Sequence, residues 1–358
     1  MRRISVRRRL ALVLASLVLL AVPACGDDSS PAADGGPSGK LLWYTSAPSF
    51  AADEIMSEFM DAYPNVEGEV LRLSTFDQWE RFRSEYEAGR HLADVINLSD
   101  FGLIQEGVKA GYFHKGLPKS VTDAVAGGTL PEEYADTEGH WFSLRLTTIA
   151  PAYNTARVDE AKAKELKTWM DLCDDPYWQG LAIGTLDPRE ASSGYVVFWQ
   201  MDQAGIAEDF FRCLGNNPKT VIYDTGGPLM NALMSGEIDV AINVDYQALA
   251  ATSAGAPLAV YFPSEGVGGN PDYLVRAEKA PNPAAGDAFM DWMGSQEGME
   301  TMAKFLTTWS VRTDVNPYPD GLRPPINDVK IIGGELSLEA ATADFEAFNS
   351  KWDEWLGR

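Results

Sequence analysis

Residues 40–63 read KLLWYTSAPSFAADEIMSEFMDAY, and this stretch decides the fold class. Lys40–Tyr44 is a short apolar run that predicts a strand, and the polar turn Thr45–Ser49 ends it. After the turn, apolar side chains recur at the spacing of a helix, at Ile55, Met56, Phe59, Met60 and Tyr63. The stretch therefore predicts a strand, a polar loop and a helix in succession.

The same strand–helix unit follows twice more along the chain. Val66–Leu73 alternates as a strand does and precedes a helical pattern over Phe76–Tyr86. Ala93–Leu98 is the third strand and precedes a helix over Phe101–Ala110. Strands that alternate with helices predict an α/β fold, with a mostly parallel sheet doubly covered by helices.

A second series of strands and helices begins near Thr147 and predicts a second domain. Its strands are expected at Leu181–Thr185, Val221–Tyr223 and Val240–Asn243, and helices are expected to open at Ser192 and Pro228. The chain is expected to cross between the two lobes at Leu146–Asn154 and again near Leu258–Pro263. Paired strands at two crossings would form a hinge.

The predicted organisation has five parts. Each lobe is expected to be a doubly covered, mostly parallel sheet, and the two lobes are joined by a two-strand hinge. The parts are a signal peptide (1–24), a lipidated cysteine with a flexible tether (25–39), lobe 1 (40–146 with 263–314), lobe 2 (147–262), and a C-terminal tail that packs on one of the lobes (315–358).

The N-terminal segment has the pattern of a secretory signal peptide. Five arginines among the first nine residues precede an apolar run, Leu10–Val22, that is too short for the roughly 20 residues of a membrane-spanning helix. The run ends at Pro23, Ala24 and Cys25, which resemble a bacterial lipobox in which the cysteine is acylated. The alternative is an ordinary export signal that ends near a cysteine. Gly26–Gly39 is rich in Asp, Ser, Pro, Ala and Gly, as a tether would be.

Charge and cysteine content narrow the class of protein further. The formal net charge is −23, so nucleic acid is not expected as a partner, and an anionic ligand would have to be held by local donors. Cys173 and Cys213 are the two cysteines beyond Cys25. In an exported protein they are expected to form a disulfide, with two separately buried thiols as the alternative.

The chain resembles the type 2 periplasmic-binding-protein family, in the branch of ATP-driven (ABC) importers that bind ferric ion, phosphonates and sugar phosphates. The resemblance runs from about Leu41 to about Asn316. Its segments are Trp43–Ser46, Ala93–Val95, Leu144–Thr148, Tyr153–Thr155, Trp169–Leu172, Gly236–Ala241 with Tyr246, and Gly255–Pro257. Their common order and spacing carry the resemblance.

The resemblance implies a monomeric, two-lobed clamp that closes on one small-molecule ligand and delivers it to an ABC permease. A protein of this kind is not expected to be an enzyme or to need a cofactor. The signal peptide and the lipobox add the expectation that it stands outside the cytoplasm, anchored to the cell membrane by its lipid. Ferric binders of this branch use two adjacent tyrosines. Here the corresponding positions are Tyr246 and Gln247, and the loss of one phenolate removes a principal ligand of ferric ion. No bound metal is therefore expected.

Most candidate ligand-binding residues lie in loops beyond the carboxyl ends of predicted strands, at Thr45–Ser49 and Asn97–Asp100, or where loops enter helices, and Arg145 could neutralise a bound anion. Helix N-termini bind anions through free backbone N–H groups, and glycines let a ligand approach the backbone closely. Simple helix capping and tight turns would explain several of the same residues. The candidates are Ser46, Ser99, Arg145, Ser192, Ser193, Gly194, Gly226, Gly227, Tyr246 and Trp309, the last because residues 308–312 resemble a cleft-edge segment of the family.

The leading interpretation is a binding protein for an organophosphate, a phosphonate or a similar small anion. A ferric-ion or sugar binder of the same transporter class is the first alternative. An anchored extracellular hydrolase is an alternative of another class, although no Gly-x-Ser-x-Gly or zinc-binding motif is found. A surface adhesion or sensor protein that uses the same clamp is the third.

Overall fold

The computed structural model describes residues 36–190, 192–315, 322–333 and 338–357, apart from the side chains of Ser192, Asn327 and Leu338. These residues belong to one compact unit. The predicted signal peptide and the predicted lipidation site at Cys25 lie outside the described residues. Among the residues described, no helix is long and apolar enough to span a membrane.

The strands fall where short apolar runs are bounded by polar turns. They are β1 (Gly39–Thr45), β2 (Val66–Arg72), β3 (Val95–Leu98), β4 (Trp141–Asn154), β5 (Ile183–Leu186), β6 (Val221–Tyr223), β7 (Val240–Val244), β8 (Leu258–Val260), β9 (Val267–Arg276), β10 (Trp309–Ser310) and β11 (Ile331–Ile332).

The helices include those that the sequence predicts after the first three strands and near Ser192 and Pro228. They are α1 (Ser49–Ala62), α2 (Thr75–Glu87), α3 (Phe101–Ala110), α4 (Lys119–Ala126), α5 (Glu160–Ala163), α6 (Asp171–Asp174), α7 (Pro176–Gln179), α8 (Ser192–Gln203), α9 (Ala207–Asn216), α10 (Gly226–Ser235), α11 (Asp245–Ser253), α12 (Pro283–Gly294), α13 (Gln296–Leu306) and α14 (Leu338–Trp355). Short 3₁₀ turns occupy Glu132–Tyr134 and Ile326–Asp328.

The strand order is β2-β1-β3-β9-β4-β7-β5-β6. Strands β1, β2 and β3 pair in parallel, and so do β5, β6 and β7, which confirms the α/β fold class with two parallel sets of strands. Antiparallel pairing occurs where β4 and β9 run between the two sets.

Strand β4 joins the two halves of the molecule. Trp141–Thr148 pairs with β9, and Ile149–Asn154 pairs with β7 and β8. The predicted crossing at Leu146–Asn154 falls within this strand, and β8 lies beside it at the second predicted crossing. The boundaries of the two lobes remain a prediction.

The C-terminal helix α14 packs mainly on α8 and α9. The ring of Trp352 stacks on Phe198 at 5.4 Å and meets Phe211 edge-on at 4.6 Å. At its other end the carboxylate of Glu339 accepts a hydrogen bond from Gln105 of α3, at 2.7 Å. The tail was expected to pack on one lobe, but α14 contacts helices that lie on both sides of the strand crossing.

The predicted disulfide between Cys173 and Cys213 is confirmed. Its two Cα atoms lie 6.0 Å apart, and the bond ties α6 to α9 on the surface of the second set of strands. Such bonds persist in oxidising compartments, which agrees with an exported protein.

Candidate functional site

A polar cleft of about 230 Å³ lies at the carboxyl ends of strands from both halves. This is the edge at which parallel strands of an α/β fold present ligand-binding loops. The residues that line it are Ser46, Arg72, Ser74, Thr75, Phe76, Ser99, Arg145, Thr147, Leu186, Glu190, Ser193, Gly226, Asn243, Val244, Tyr246 and Gln247.

The first half of the molecule contributes hydroxyl groups. Ser46 directly follows β1 and Ser99 directly follows β3, so both side chains emerge at the same sheet edge. The hydroxyls of Ser99 and Thr75 are hydrogen-bonded at 2.8 Å. Ser74 caps α2 by accepting a hydrogen bond from the backbone N–H of Asp77 at 3.2 Å. This wall therefore offers oxygens that can either donate to a ligand or accept from it.

The second half contributes a backbone turn and two amide side chains. Asn243 Nδ2 donates to the carbonyl of Gly226 at 3.1 Å and to Gln247 Oε1 at 3.2 Å. A Cβ added to Gly226 would lie 2.8 Å from Asn243 Oδ1. The close approach explains why glycine occupies the start of α10.

Arg145 lies in the floor of the cleft on β4. Its Nε donates to Asp272 Oδ2 at 2.6 Å, and its guanidinium carbon lies 5.4 Å from the ring centre of Tyr246. Burial is the largest influence on Arg145 and lowers its pKa, but Asp272 and Tyr246 together outweigh burial and raise the pKa of the guanidinium above its usual value. Within the part of the chain that the structure describes, Arg145 Nη1 is buried without a hydrogen-bond partner. A buried donor of this kind has one bond available for a ligand.

Two helices begin at the cleft that this arginine lines. Helices α10 and α11 both begin at the cleft, and neither has a side chain that caps its first backbone N–H groups. Each is long enough to carry the partial positive charge of a helix N-terminus. Together with Arg145, they give the cleft a set of donors suited to an anion.

One amide joins the two walls. Asn270 Nδ2 donates to the carbonyl of Ser99 at 2.9 Å and to Ser193 Oγ at 3.3 Å. Ser99 follows β3 in the first set of strands, whereas Ser193 lies in the first turn of α8, next to the second set. The two predicted serines are therefore held against each other through a residue that the sequence did not single out.

Most of the predicted residues line this cleft, and the structure places three of them elsewhere. Ser46, Ser99, Arg145, Ser193, Gly226 and Tyr246 all line it. Gly194 is buried in α8 and Gly227 is exposed in α10, and neither is among the lining residues. The side chain of Ser192 is not among those that the structure describes.

Trp309 does not lie in the cleft, although its segment resembles a cleft-edge segment of the family. Its side chain is fully buried, and Nε1 donates to the carbonyl of Pro324 at 3.1 Å. The ring packs on Phe262 at 5.3 Å and beneath the guanidinium of Arg323 at 4.2 Å. The predicted stacking of Trp309 on a ligand is therefore corrected to a packing role, because the tail covers the ring.

Sequence reasoning missed several cleft residues. Arg72 is the last residue of β2, and Thr147 precedes the point where β4 passes between the two sets of strands. The sequence predicts Asn243 as the last residue of a strand and does not indicate that it binds a ligand. The signal that identified Ser46 and Ser99, a polar residue at the carboxyl end of a parallel strand, applies equally to Arg72 and Asn243.

The part of the chain that is described contains no group of three or more His, Cys, Asp or Glu side chains placed to hold a metal ion. The cleft includes one carboxylate, Glu190, and one phenol, Tyr246. The donors named above are hydroxyl, amide, guanidinium and backbone N–H groups. Such donors hold an oxyanion better than a bare cation.

Comparison with known proteins agrees with this architecture. Residues 41–305 match the family described as bacterial extracellular solute-binding protein. An uncharacterised protein of Haemophilus influenzae is 25% identical over 321 residues, which cover 88% of this chain and 90% of the relative.

Solved structures of periplasmic binding proteins share the fold. AfuA of Actinobacillus pleuropneumoniae, solved with fructose-6-phosphate bound, superposes with a TM-score of 0.70 at 20% identity, over 89% of this chain and 98% of that one. Iron-bound HitA of Pseudomonas aeruginosa superposes with a TM-score of 0.65 at 20% identity, over 89% and 99%.

These matches confirm the two-lobed, type 2 periplasmic-binding-protein fold that the sequence predicts. Family and fold are those of a binding protein for a small molecule, which acts outside the cytoplasm. On the match to residues 41–305, the chain belongs to the family of bacterial extracellular solute-binding proteins.

Proposed function

We propose that this protein captures a small phosphorus oxyanion, an organophosphate or a phosphonate, in the cleft and delivers it to an ABC permease. The observation that carries the proposal is that, among the described residues, two helix N-termini without a capping side chain open into the same cleft as Arg145 Nη1, which has no hydrogen-bond partner there. Helix N-termini and arginine both favour a tetrahedral oxyanion, because each presents N–H donors to its oxygens.

The acidic charge of the whole chain makes these local donors necessary. A net charge of −23 repels anions in bulk solution, so the cleft must supply the whole of the attraction at short range. Inside the cleft, the hydroxyls of Ser46, Thr75 and Ser99 add donors that can rotate toward a bound oxygen. The similarity to AfuA, solved with a sugar phosphate, supports the same ligand chemistry.

Ferric ion is the second candidate, and one residue favours it. Tyr246 lines the cleft and could supply a phenolate, and iron-bound HitA shares the fold. The neighbouring position is Gln247, which supplies a neutral amide instead of a second phenolate. The guanidinium that lies against the Tyr246 ring also adds positive charge where a trivalent cation would sit.

The lipid anchor belongs to the same proposal. Cys25 would be acylated at the new N-terminus after the signal peptide is cleaved, and the tether would let a monomeric binding unit reach the permease. Intact-mass measurement of the membrane-extracted protein tests the anchor directly. A mass that corresponds to an unmodified Cys25 would rule it out and leave the ligand proposal unaffected.

The ligand proposal is tested by a thermal-shift screen of the purified protein. The panel contains inorganic phosphate, phosphonates, sugar phosphates, ferric citrate, neutral sugars and amino acids. A ligand at 100 times its dissociation constant stabilises the native state by about 2.7 kcal/mol, which shifts the melting temperature readably. Stabilisation by phosphorus oxyanions is the expected result. Stabilisation only by iron or by neutral sugars would support the binding role of the protein but contradict the proposal that its ligand is a phosphorus oxyanion.

A further inference from the structure

A second cavity of about 260 Å³ opens beside the polar cleft. It is enclosed by the start of α2 and α3, by the start of α8 with the loop before it, and by α14. Its lining residues are Phe76, Asp100, Phe101, Pro188, Arg189, Tyr195, Val196, Ala341, Thr342 and Phe345.

The two cavities are neighbours, because Phe76 lines both. Residues that are adjacent in the chain also line different cavities. Thr75 and Ser99 line the polar cleft, and Asp100 and Phe101, directly after Ser99, line the second cavity. Ser193 faces the polar cleft, and two residues further along the chain the second cavity begins. The second cavity therefore borders the polar cleft.

The lining of the second cavity is mainly aromatic and aliphatic. Phe76 is 47% exposed although it is a large apolar side chain. Tyr195 has its hydroxyl engaged, since it donates to the carbonyl of Ala341. The phenol therefore presents its ring, and the cavity has few polar groups for a ligand to bond. An apolar moiety matches this surface because its burial removes both faces from water.

The charges at the second cavity do not suit an oxyanion. Asp100 caps α3 by accepting from the backbone N–H of Leu103 at 3.1 Å, and burial raises its pKa. Arg189 is engaged by two carboxylates, those of Asp187 at 2.7 Å and Asp353 at 3.0 Å. The anionic end of a ligand therefore belongs with Arg145, and the uncharged end belongs in the second cavity.

We propose that the ligand is an amphipathic oxyanion, whose apolar group, about the size of an aromatic ring, occupies the cavity beside Phe76 while its phosphoryl or phosphonyl group occupies the polar cleft. This inference rests on the proposed function and narrows it. A dry cavity of about 150 Å³ suffices to bind benzene, so a cavity of about 260 Å³ accommodates a ring with a short substituent.

The test compares two probes by titration calorimetry on the purified protein, methylphosphonate and phenylphosphonate. They share the anionic group and differ in the apolar group. Phenylphosphonate is expected to bind at least about tenfold more tightly, because its ring is buried in the second cavity. Phe76→Ala should remove most of that advantage, measured as the ratio of the two affinities.

Phe50→Ala is the matched control. Phe50 is 63% exposed in the first turn of α1, so it is a surface phenylalanine at a helix start as Phe76 is, but it lines neither cavity. This variant should keep the full preference for phenylphosphonate. Thr342→Phe supplies an independent check from α14, because a larger side chain at this exposed position would fill the second cavity and lower the affinity for phenylphosphonate alone.

The outcomes separate the two proposals. Binding of both probes with equal affinity, or an equal loss for both in Phe76→Ala, would overturn the amphipathic ligand and leave the oxyanion site standing. Binding of neither probe would overturn the oxyanion site and this inference with it. Tighter binding of phenylphosphonate that Phe76→Ala abolishes and Phe50→Ala retains would support both.

Discussion

Arg323 and Asp245 form a bidentate ion pair inside the protein, with Nη1 to Oδ2 and Nη2 to Oδ1 both at 2.9 Å. The side chain of Arg323 is fully buried and that of Asp245 is 1% exposed. Thr148 of β4 donates to the same carboxylate at 2.5 Å, and Arg323 also donates to the carbonyl of Thr307 at 2.8 Å. The pair therefore fastens the C-terminal tail to the point where β4 passes between the two sets of strands.

Arg323→Leu is expected to destabilise the protein by about 3–5 kcal/mol. The substitution leaves the carboxylate of Asp245 buried with no cation, and this desolvated charge is costlier than the pair itself is stabilising. Urea unfolding measures the change. The control is Lys351→Ala, which breaks the surface pair with Asp202, at 2.7 Å, and should cost less than about 1 kcal/mol. A loss in Arg323→Leu no larger than in the control would show that the buried pair does not fasten the tail.

Removal of the disulfide is expected to cost about 4 kcal/mol. Cys173 and Cys213 are 40 residues apart in the chain, and a closed loop of this length restricts the unfolded state by about that amount. The variant that carries both Cys173→Ala and Cys213→Ala should melt several degrees below the wild type in calorimetry. Treatment with a reductant should lower the melting temperature of the wild type toward that of the variant. The melting temperature of the variant should not change. A variant with the same melting temperature as the wild type would show that the disulfide contributes no net stability.

Tyr246→Phe is expected to weaken ligand binding about tenfold or more without unfolding the protein. The phenol lines the cleft against Arg145, so its hydroxyl is available to a bound oxyanion, and a hydrogen bond to a charged group contributes about 1.5–3 kcal/mol. Calorimetry with the strongest ligand of the screen measures the affinity. Tyr153→Phe on β4 makes the same change outside the residues that line the cleft and should bind normally. Unchanged affinity in Tyr246→Phe would remove this hydroxyl from the site.

The spacing of apolar residues was sufficient to predict the α/β fold class, whereas the two-lobed architecture followed from the resemblance to a known family. Alternating strands and helices specify parallel strands, and polar residues after such strands meet at one edge, as Ser46 and Ser99 do. The disulfide also followed from residue type and export. These predictions depend on local patterns of residue type, and a single sequence is enough to show such patterns.

The residues that were missed depend on contacts between distant parts of the chain. Asn270 joins Ser99 to Ser193 across a sequence gap that no periodicity reveals. Arg323 lies in a Pro-rich tail with no helical or strand pattern, yet its guanidinium covers the ring of Trp309. A tail that folds back over a tryptophan removes it from the cleft, and only the tertiary structure shows this.

Trp309→Leu is therefore expected to affect stability and not ligand affinity. The ring is fully buried between Phe262 and Arg323, so its truncation leaves a cavity that costs about 3 kcal/mol. Urea unfolding measures this loss, and calorimetry at a temperature where the variant is folded measures binding. Leu186→Ala in the lining of the cleft is the comparison, since it should lower stability and affinity together. A variant at Trp309 with wild-type stability and lost affinity would return this residue to the ligand site, because only direct contact with the ligand would produce that pair of results.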